Sequence, residues 1–166
     1  MDSREELVTF SPFVVNAADP MRLFDDAALH WACFDRHPLA GKVREFMALL
    51  PGKESIGNFN CAVCNQHLVY STDYMNMGLL ISDEKVPLYV FNFTKLHQSH
   101  LPDWPQLEIF AALIQEGLDN GRLKGYGITH LMGVLNEALL QRVRVKSISQ
   151  TATDLALGAL VGRAGS

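Results

Sequence analysis

Long hydrophobic runs are missing from this 166-residue sequence, and no stretch approaches the ~20 consecutive apolar residues that a membrane-spanning helix needs. Basic residues are also few, because 14 Lys and Arg stand against 18 Asp and Glu and give a net charge of −4. This balance lacks the broad positive surface of nucleic-acid-binding proteins. We therefore expect no membrane partner, and a protein partner is favoured over a nucleic acid.

Cysteine is scarce as well, with three residues at positions 33, 61 and 64. The first six residues, MDSREE, are acidic and lack the apolar segment of a secretory signal. Three cysteines in such a sequence do not make a disulfide framework. We therefore expect a cytoplasmic protein whose thiols stay reduced and are available to bind metal. The composition, 48% hydrophobic and 19% charged, is that of a globular protein.

Short hydrophobic patterns separated by polar turns predict a mixed fold. In the first half we expect a hairpin or two edge strands within 7–15, a helix over 27–34 capped by Asp25 or Asp26, an amphipathic helix over 39–50 and a polar linker over 51–58. In the second half we expect strands at 68–70, 78–81 and 88–91, a short helix through His97 and His100 capped by Asn92 or Thr94, helices over 106–118 and 128–142, and an edge strand at 143–146.

The chain resembles itself when it is shifted by 67 residues, so that Pro20 meets Pro87. Residues 20–38 and 87–105 align without gaps and share five identities, which fall on two prolines, a phenylalanine, a leucine and a histidine. These residue types set local structure, and the helices that follow match in phase. We interpret the match as an internal duplication. The alternative is two unrelated strand–helix units with similar prolines and caps.

The fold class predicted from these patterns is α+β, with two related β-hairpin–helix units and added amphipathic helices. The expected domains are a first, degenerate zinc-finger-like repeat over 1–50, the linker over 51–58, a zinc-binding repeat over 59–118 and a C-terminal helical extension over 119–166.

The second repeat contains a pattern of potential metal ligands. Cys61-x2-Cys64 is followed, after 32 residues, by His97-x2-His100. Zinc prefers four nitrogen or sulfur ligands at the corners of a tetrahedron. Two such cysteines form a knuckle on one side of the ion, and two histidines three apart share a helix face. The pattern predicts a zinc site. The alternatives are buried thiols with surface histidines, or a redox cysteine pair.

A knuckle, a hairpin and a helix whose first turn supplies two ligands resembles a treble-clef zinc finger, and more loosely a LIM domain. The resemblance covers mainly residues 61–100, and the spacer is longer than in a LIM finger. It implies that Cys61, Cys64, His97 and His100 are the zinc ligands. It implies no LIM partner.

The first repeat contains half of this pattern. His30 and Cys33 align with the two histidines of the second repeat, and the matching cysteine knuckle would fall upstream of the first residue. His30, Cys33 and His37 are therefore a possible second or vestigial metal site. We expect a remnant that has lost its metal. A start further upstream, or a site completed by His37 and His67, are the other interpretations.

A zinc ion with four protein ligands has no open position for water or substrate, so it stabilises structure. We expect a zinc-stabilised, non-catalytic protein that binds another macromolecule, for example an adaptor or an immunity-type inhibitor. One alternative is a nucleic-acid-binding treble-clef regulator, supported only by the basic run at 142–146. A second is a small zinc-dependent enzyme with His30, Cys33 or His130 in an open site.

Overall fold

The computed structural model describes residues 6–54, 59–68 and 73–163, with side chains over 6–48, 59–68 and 73–148. It is a mixed α+β fold with two antiparallel sheets of two strands each. In chain order the elements are β1 (Leu7–Thr9), a 3₁₀ helix (Pro20–Phe24), β2 (Ala28–His30), α1 (Trp31–Asp35), α2 (Ala40–Glu54), β3 (Tyr74–Asn76), a 3₁₀ helix (Pro87–Phe91), β4 (Lys95–His97), a 3₁₀ helix (Gln98–Asp103), α3 (Leu107–Asp119) and α4 (Tyr126–Arg163).

The first half of the structure, residues 6–54, is built around an aromatic core. Phe10, Phe24 and Phe34 are buried, and their rings contact one another with centroids 5.3 to 5.8 Å apart. Aromatic pairs in such tilted or edge-to-face arrangements stabilise a core beyond the area they bury. Val43 and Phe46 of α2 complete this core. This half therefore folds around packed rings.

The hairpin expected within residues 7–15 is not formed, although the first of the two expected strands is present as β1. β1 pairs with β2, which lies beyond the first 3₁₀ helix, and Val14 makes only an isolated bridge to Leu79. Pro12 interrupts this stretch and cannot donate a ladder hydrogen bond, so the two runs on either side separate. The connection between the two strands is therefore long and is not a tight hairpin.

The predicted helix over 27–34 is also wrong in its first part, because residues 28–30 form β2 and the helix begins at Trp31. Asp26 has a φ of 55°, which a helix cannot accommodate. Asp25, the other expected cap, directs its carboxylate away to the loop at residues 13–14. The acidic pair forms a turn before a strand.

Both halves repeat the same sequence of elements at the 67-residue offset. Leu7 lies opposite His30 in the first sheet, and Tyr74 lies opposite His97 in the second. The 3₁₀ helices that begin at residues 20 and 87, and the helices that begin at residues 40 and 107, keep the same offset. The two sheets therefore have identical register.

The loop at residues 13–14 of the first half and the loop at residues 80–81 of the second are held by side chains at equivalent positions. One oxygen of Asp25 accepts from the amides of residues 13–14 at 2.6 and 2.8 Å. One oxygen of Asn92 accepts from the amides of residues 80–81 at 2.8 and 3.2 Å. A short acceptor is needed at both positions because each loop presents two adjacent amide donors that would otherwise be left unsatisfied.

We expect Asp25→Ala and Asn92→Ala each to lower the free energy of unfolding by roughly 1–3 kcal/mol, because each leaves two amides without their acceptor. Asp25→Asn is the matched control, since the second half already uses asparagine, and it should cost less than half as much. Urea titration followed by circular dichroism measures these values. Equal losses for alanine and asparagine at position 25 would mean that the ion pair with Arg22, and not the amide contacts, is what matters.

The two halves are joined by backbone and side-chain contacts near their equivalent loops. The buried Asp19 carboxylate accepts from the amide of Ser82 in the other half at 2.6 Å. Val14 and Leu79 form a parallel bridge, and Leu79 and Phe93 insert their side chains into the core of the first half. These contacts place the two sheets in a defined relation.

The larger core belongs to the second half and to α4. Phe110 is fully buried between Phe91 and Trp104, with ring centroids 5.0 and 5.4 Å away. The predicted helix over 106–118 is confirmed as α3, and its inner face packs against α4. The buried hydrophobic side chains described in these two helices are Leu107, Phe110, Ala111, Ile114, Ile128, Leu131, Leu135 and Ala138.

Several predicted boundaries differ from the structure. The linker expected from residue 51 begins later, because α2 continues through Pro51 to Glu54, and residues 55–58 lie outside the described residues. The expectation was based on the polar, turn-rich composition of the segment, which begins with Pro51 and Gly52. The structure includes this proline in the helix.

Two of the strands expected in the second half are absent, since residues 88–91 lie in a 3₁₀ helix and residues 78–81 make only the bridge at Leu79. The third, at 68–70, falls mostly outside the described residues. The edge strand expected at 143–146 is part of α4. Valines that alternate with basic residues resemble a strand, but here the preceding helix continues. Among the described residues, no helix has both the length and the apolar character needed to span a membrane.

Candidate metal centre

Cys61 and Cys64 lie on a tight turn in the segment 59–68. Asn60 and His67 form an antiparallel bridge at its base. Within the turn, the amide of Asn65 donates to the carbonyl of Cys61 at 2.9 Å, and Asn65 adopts a φ of 57°. Asparagine tolerates this left-handed conformation better than other residues with a side chain. The turn therefore closes tightly enough to present both thiols on one side.

His97 and His100 come from the end of a strand and the helical turn that follows it. His97 is the last residue of β4, and His100 lies in the 3₁₀ helix Gln98–Asp103. Their ring centroids are 4.9 Å apart. The expectation that both histidines share one helix face, with Asn92 or Thr94 as the cap, is wrong. The two rings converge because the chain changes from strand to helix between them.

The cysteine turn docks directly on the strand that carries the first histidine. The amide of Ala62 donates to the carbonyl of Lys95 at 3.0 Å, and the amide of His97 approaches the Cys61 sulfur at 3.4 Å. The ammonium of Lys95 lies 3.2 Å from the centroid of the Phe59 ring and is buried. A cation over an aromatic face is attracted to it, most strongly when both are desolvated. These contacts attach the turn to the sheet.

The four side chains converge on one point. The Cys61 sulfur lies 3.8 Å from Nδ1 of His100, and the Cys64 sulfur lies 3.7 Å from Nδ1 of His97. One ligand atom from each of the four residues lies within 4.8 Å of all the others. With Zn–S and Zn–N bonds of about 2.3 and 2.0 Å, a tetrahedral site has sulfur–nitrogen edges of about 3.5 Å. This group can bind a metal ion.

Comparisons with known protein families, curated proteins and solved structures gave no match to this chain.

Two opposing effects set the pKa of the Cys61 thiol. Burial raises the pKa, because the charged thiolate loses its hydration. Hydrogen bonds from three backbone amides outweigh burial, and the donors are Cys64, His97 and Val63. A hydrogen bond with the side chain of His100 acts in the same direction, and the pKa falls to about 6. The thiolate is the form that binds metal, so this environment prepares the sulfur as a ligand.

Asp73 lies beside the histidine turn and was not identified from the sequence. Its carboxylate accepts from the amide and the hydroxyl of Ser99, each at 2.7 Å. These hydrogen bonds lower the pKa of Asp73, and the charges of His97 and His100 lower it further. The carboxylate therefore holds the turn between the two histidines. No signal in the sequence marked this residue, because its partner Ser99 is 26 residues further along the chain.

The other expected ligands are not brought together in the same way. His30 and Cys33 are exposed, His67 is exposed in the other half, and the His37 ring packs edge-on against Phe24 at 4.9 Å. In the part of the chain that the structure describes, Cys61, Cys64, His97 and His100 are the one group of three or more potential ligands. A vestigial site at His30, Cys33 and His37 stays a prediction.

Proposed function

We propose that this protein is a zinc-stabilised, non-catalytic interaction protein. The observation that supports this best is the convergence of two sulfurs and two ring nitrogens within 4.8 Å of one another. Two thiolates and two imidazoles at tetrahedral spacing are a donor set typical of zinc. Zinc has no redox chemistry of its own, and the two thiolate charges balance its double positive charge.

The donor set also favours a structural role. Four protein ligands fill a tetrahedron, whereas catalytic zinc sites have three protein ligands and an open position for water. Cys61 is 2% exposed and belongs to the core of the second half. The metal would therefore connect the cysteine turn to β4 and to the 3₁₀ helix through a ligand that is buried in the core.

We further infer that both halves derive from one treble-clef-like unit of which only the second retained its metal. The identical register of the two sheets supports this. The Phe10, Phe24 and Phe34 core of the first half has its counterpart, at the same offset, in Met77, Phe91 and Leu101 of the second core.

The surface favours a protein partner over a nucleic acid. Within the basic run at 142–146, Arg142 is already engaged by the carbonyls of Pro102 and Trp104 and by Glu108. Of the basic residues in this run, Arg144 and Lys146 remain as exposed cations, and the net charge of the chain is −4. The exposed aliphatic side chains on the same helix are more suitable for contact with another protein, and they include Leu140, Val143, Val145 and Ile148.

Metal analysis of the purified protein tests the zinc site. We expect one zinc per chain, and the cobalt-substituted protein should show the intense visible absorption of a tetrahedral site with thiolate ligands. Removal of the metal by a strong chelator should lower the melting temperature, because binding is coupled to folding. A metal-free protein with the same melting temperature as the metal-loaded one would contradict the proposal. A cobalt spectrum with water in the coordination shell would favour the enzyme instead.

A further inference from the structure

Helix α4 continues beyond the domain that it packs against. Leu131 and Leu135 are buried against α3, and Arg142 makes the last described anchor, donating to the carbonyl of Pro102 at 2.6 Å. All described side chains from 143 to 148 are exposed. The helix has 38 residues and is therefore about 57 Å long. Much of it lies beyond its last anchor.

A groove runs along α4 on the side next to the metal-binding half. It has a volume of about 430 Å³. One wall is α4, and the other is formed by the turn before β3 and by the 3₁₀ helix that carries His100. The α4 wall includes Val134, Glu137, Ala138 and Gln141, and Ser99 and Pro102 lie in the opposite wall.

The α4 wall of the groove continues past the domain as an apolar face. Val145 and Ile148 follow Gln141 at intervals of four and three residues, so they lie on the same face. They are 66% and 69% exposed. Val143 is also exposed, but it is two residues from both Gln141 and Val145 and therefore lies on the opposite side.

We propose that a second copy of this chain covers this face, with the two α4 helices antiparallel about a two-fold axis at Gln141. In this arrangement the Val145–Ile148 segment of each copy lies in the groove of the other. Ala138 then meets Val145 of the second copy, and Val134 meets its Ile148. Each larger side chain lies opposite a smaller one, as close packing requires.

Charge complementarity supports this occupant. Glu137 and Arg144 lie on the same flank of the shared face, at nearly equal distances on either side of Gln141. A two-fold axis in the interface places Glu137 of each copy next to Arg144 of the other. Both residues are exposed in the single chain. Two reciprocal ion pairs therefore favour the antiparallel alignment.

This inference deepens the proposed function, since it names the partner of the interaction surface. It does not require the metal for the helix contact itself. Zinc content measured on the same samples separates the two proposals: a zinc-loaded monomer contradicts only the dimer, and a metal-free dimer contradicts only the zinc site.

Sedimentation velocity of the zinc-loaded protein tests the dimer. We expect a dimer for the wild type, and Val145→Asp should raise the dissociation constant at least tenfold by placing a carboxylate in the groove. Val143→Asp is the matched control and should leave the dimer unchanged. A wild type that stays monomeric up to high micromolar concentration overturns the proposal, as does a dimer that Val145→Asp leaves intact.

Charge exchange tests the alignment. Glu137→Arg and Arg144→Glu should each weaken the dimer, and the double variant should restore it. In addition, Gln141→Cys in a Cys33→Ser background should form a disulfide between copies under a mild oxidant, because residue 141 meets its own counterpart at the axis. Absence of this cross-link, or a cross-link formed equally well by Val143→Cys, overturns the antiparallel alignment.

Discussion

Replacing Cys64 with serine should remove the bound zinc and abolish the cooperative unfolding of the second half. A serine hydroxyl is a poor zinc ligand, and three remaining ligands leave the cysteine turn weakly attached to β4. We expect zinc affinity to fall more than 100-fold, since loss of a mere hydrogen-bond partner of a metal ligand already costs about 10–100-fold. Metal analysis together with calorimetry measures both effects.

The chain offers matched controls for this experiment. Cys33 occupies the position equivalent to His100 at the 67-residue offset and is exposed, so Cys33→Ser should leave zinc content and melting temperature unchanged. His30→Ala is the corresponding control for His97→Ala. If Cys33→Ser also released a metal ion, the first half would contain a metal site of its own. Full retention of zinc in Cys64→Ser would contradict the proposed ligand set.

Replacing Phe110 with alanine should lower the free energy of unfolding by about 3–5 kcal/mol, the range for loss of a buried aromatic side chain. The Phe110 ring is fully buried and contacts both Phe91 and Trp104, so its removal leaves a cavity lined by aromatic rings. Chemical denaturation followed by circular dichroism, with zinc in excess, measures the loss.

Ile109 is the matched control, because it precedes Phe110 on the same helix and is 62% exposed. Ile109→Ala should change the free energy of unfolding by less than about 0.5 kcal/mol, as for most surface substitutions. A similar loss at both positions would contradict the dominant role of the aromatic cluster, because alanine is the better helix former and helix propensity cannot account for a loss. Zinc content should be normal in both variants, because neither residue is a ligand.

Regular, longer elements were the most predictable from the sequence. The hydrophobic spacing of α3 extends over more than three turns, and its predicted limits of 106–118 differ from Leu107–Asp119 by one residue at each end. The four strands have three residues each, which is too short for an alternating pattern to distinguish a strand from a turn. The position of β1 was predicted, but those of β2, β3 and β4 were missed, even though the 67-residue offset that relates the strands was visible.

The far end of α4 is a second segment whose structure could not be predicted from the local sequence pattern. Alternating valine and basic residues at 143–146 resemble an edge strand, yet this segment is helical. The alternation of residue types cannot distinguish a strand from a helix when no side chain of the segment is buried in a core. Whether it continues a helix depends on the turns before it, which are packed on α3.

By itself, the sequence determined the 67-residue offset, the α3 helix and the order of two cysteines before two histidines, because these depend on residue type and spacing along the chain. Tertiary structure alone decided that the four ligand atoms lie within 4.8 Å of one another, that His97 ends a strand, and that Asp73 supports the turn between the histidines. The physical reason is that these relations join segments more than 20 residues apart. Their distances depend on how the cysteine turn docks on β4, and spacing along the chain does not specify that docking.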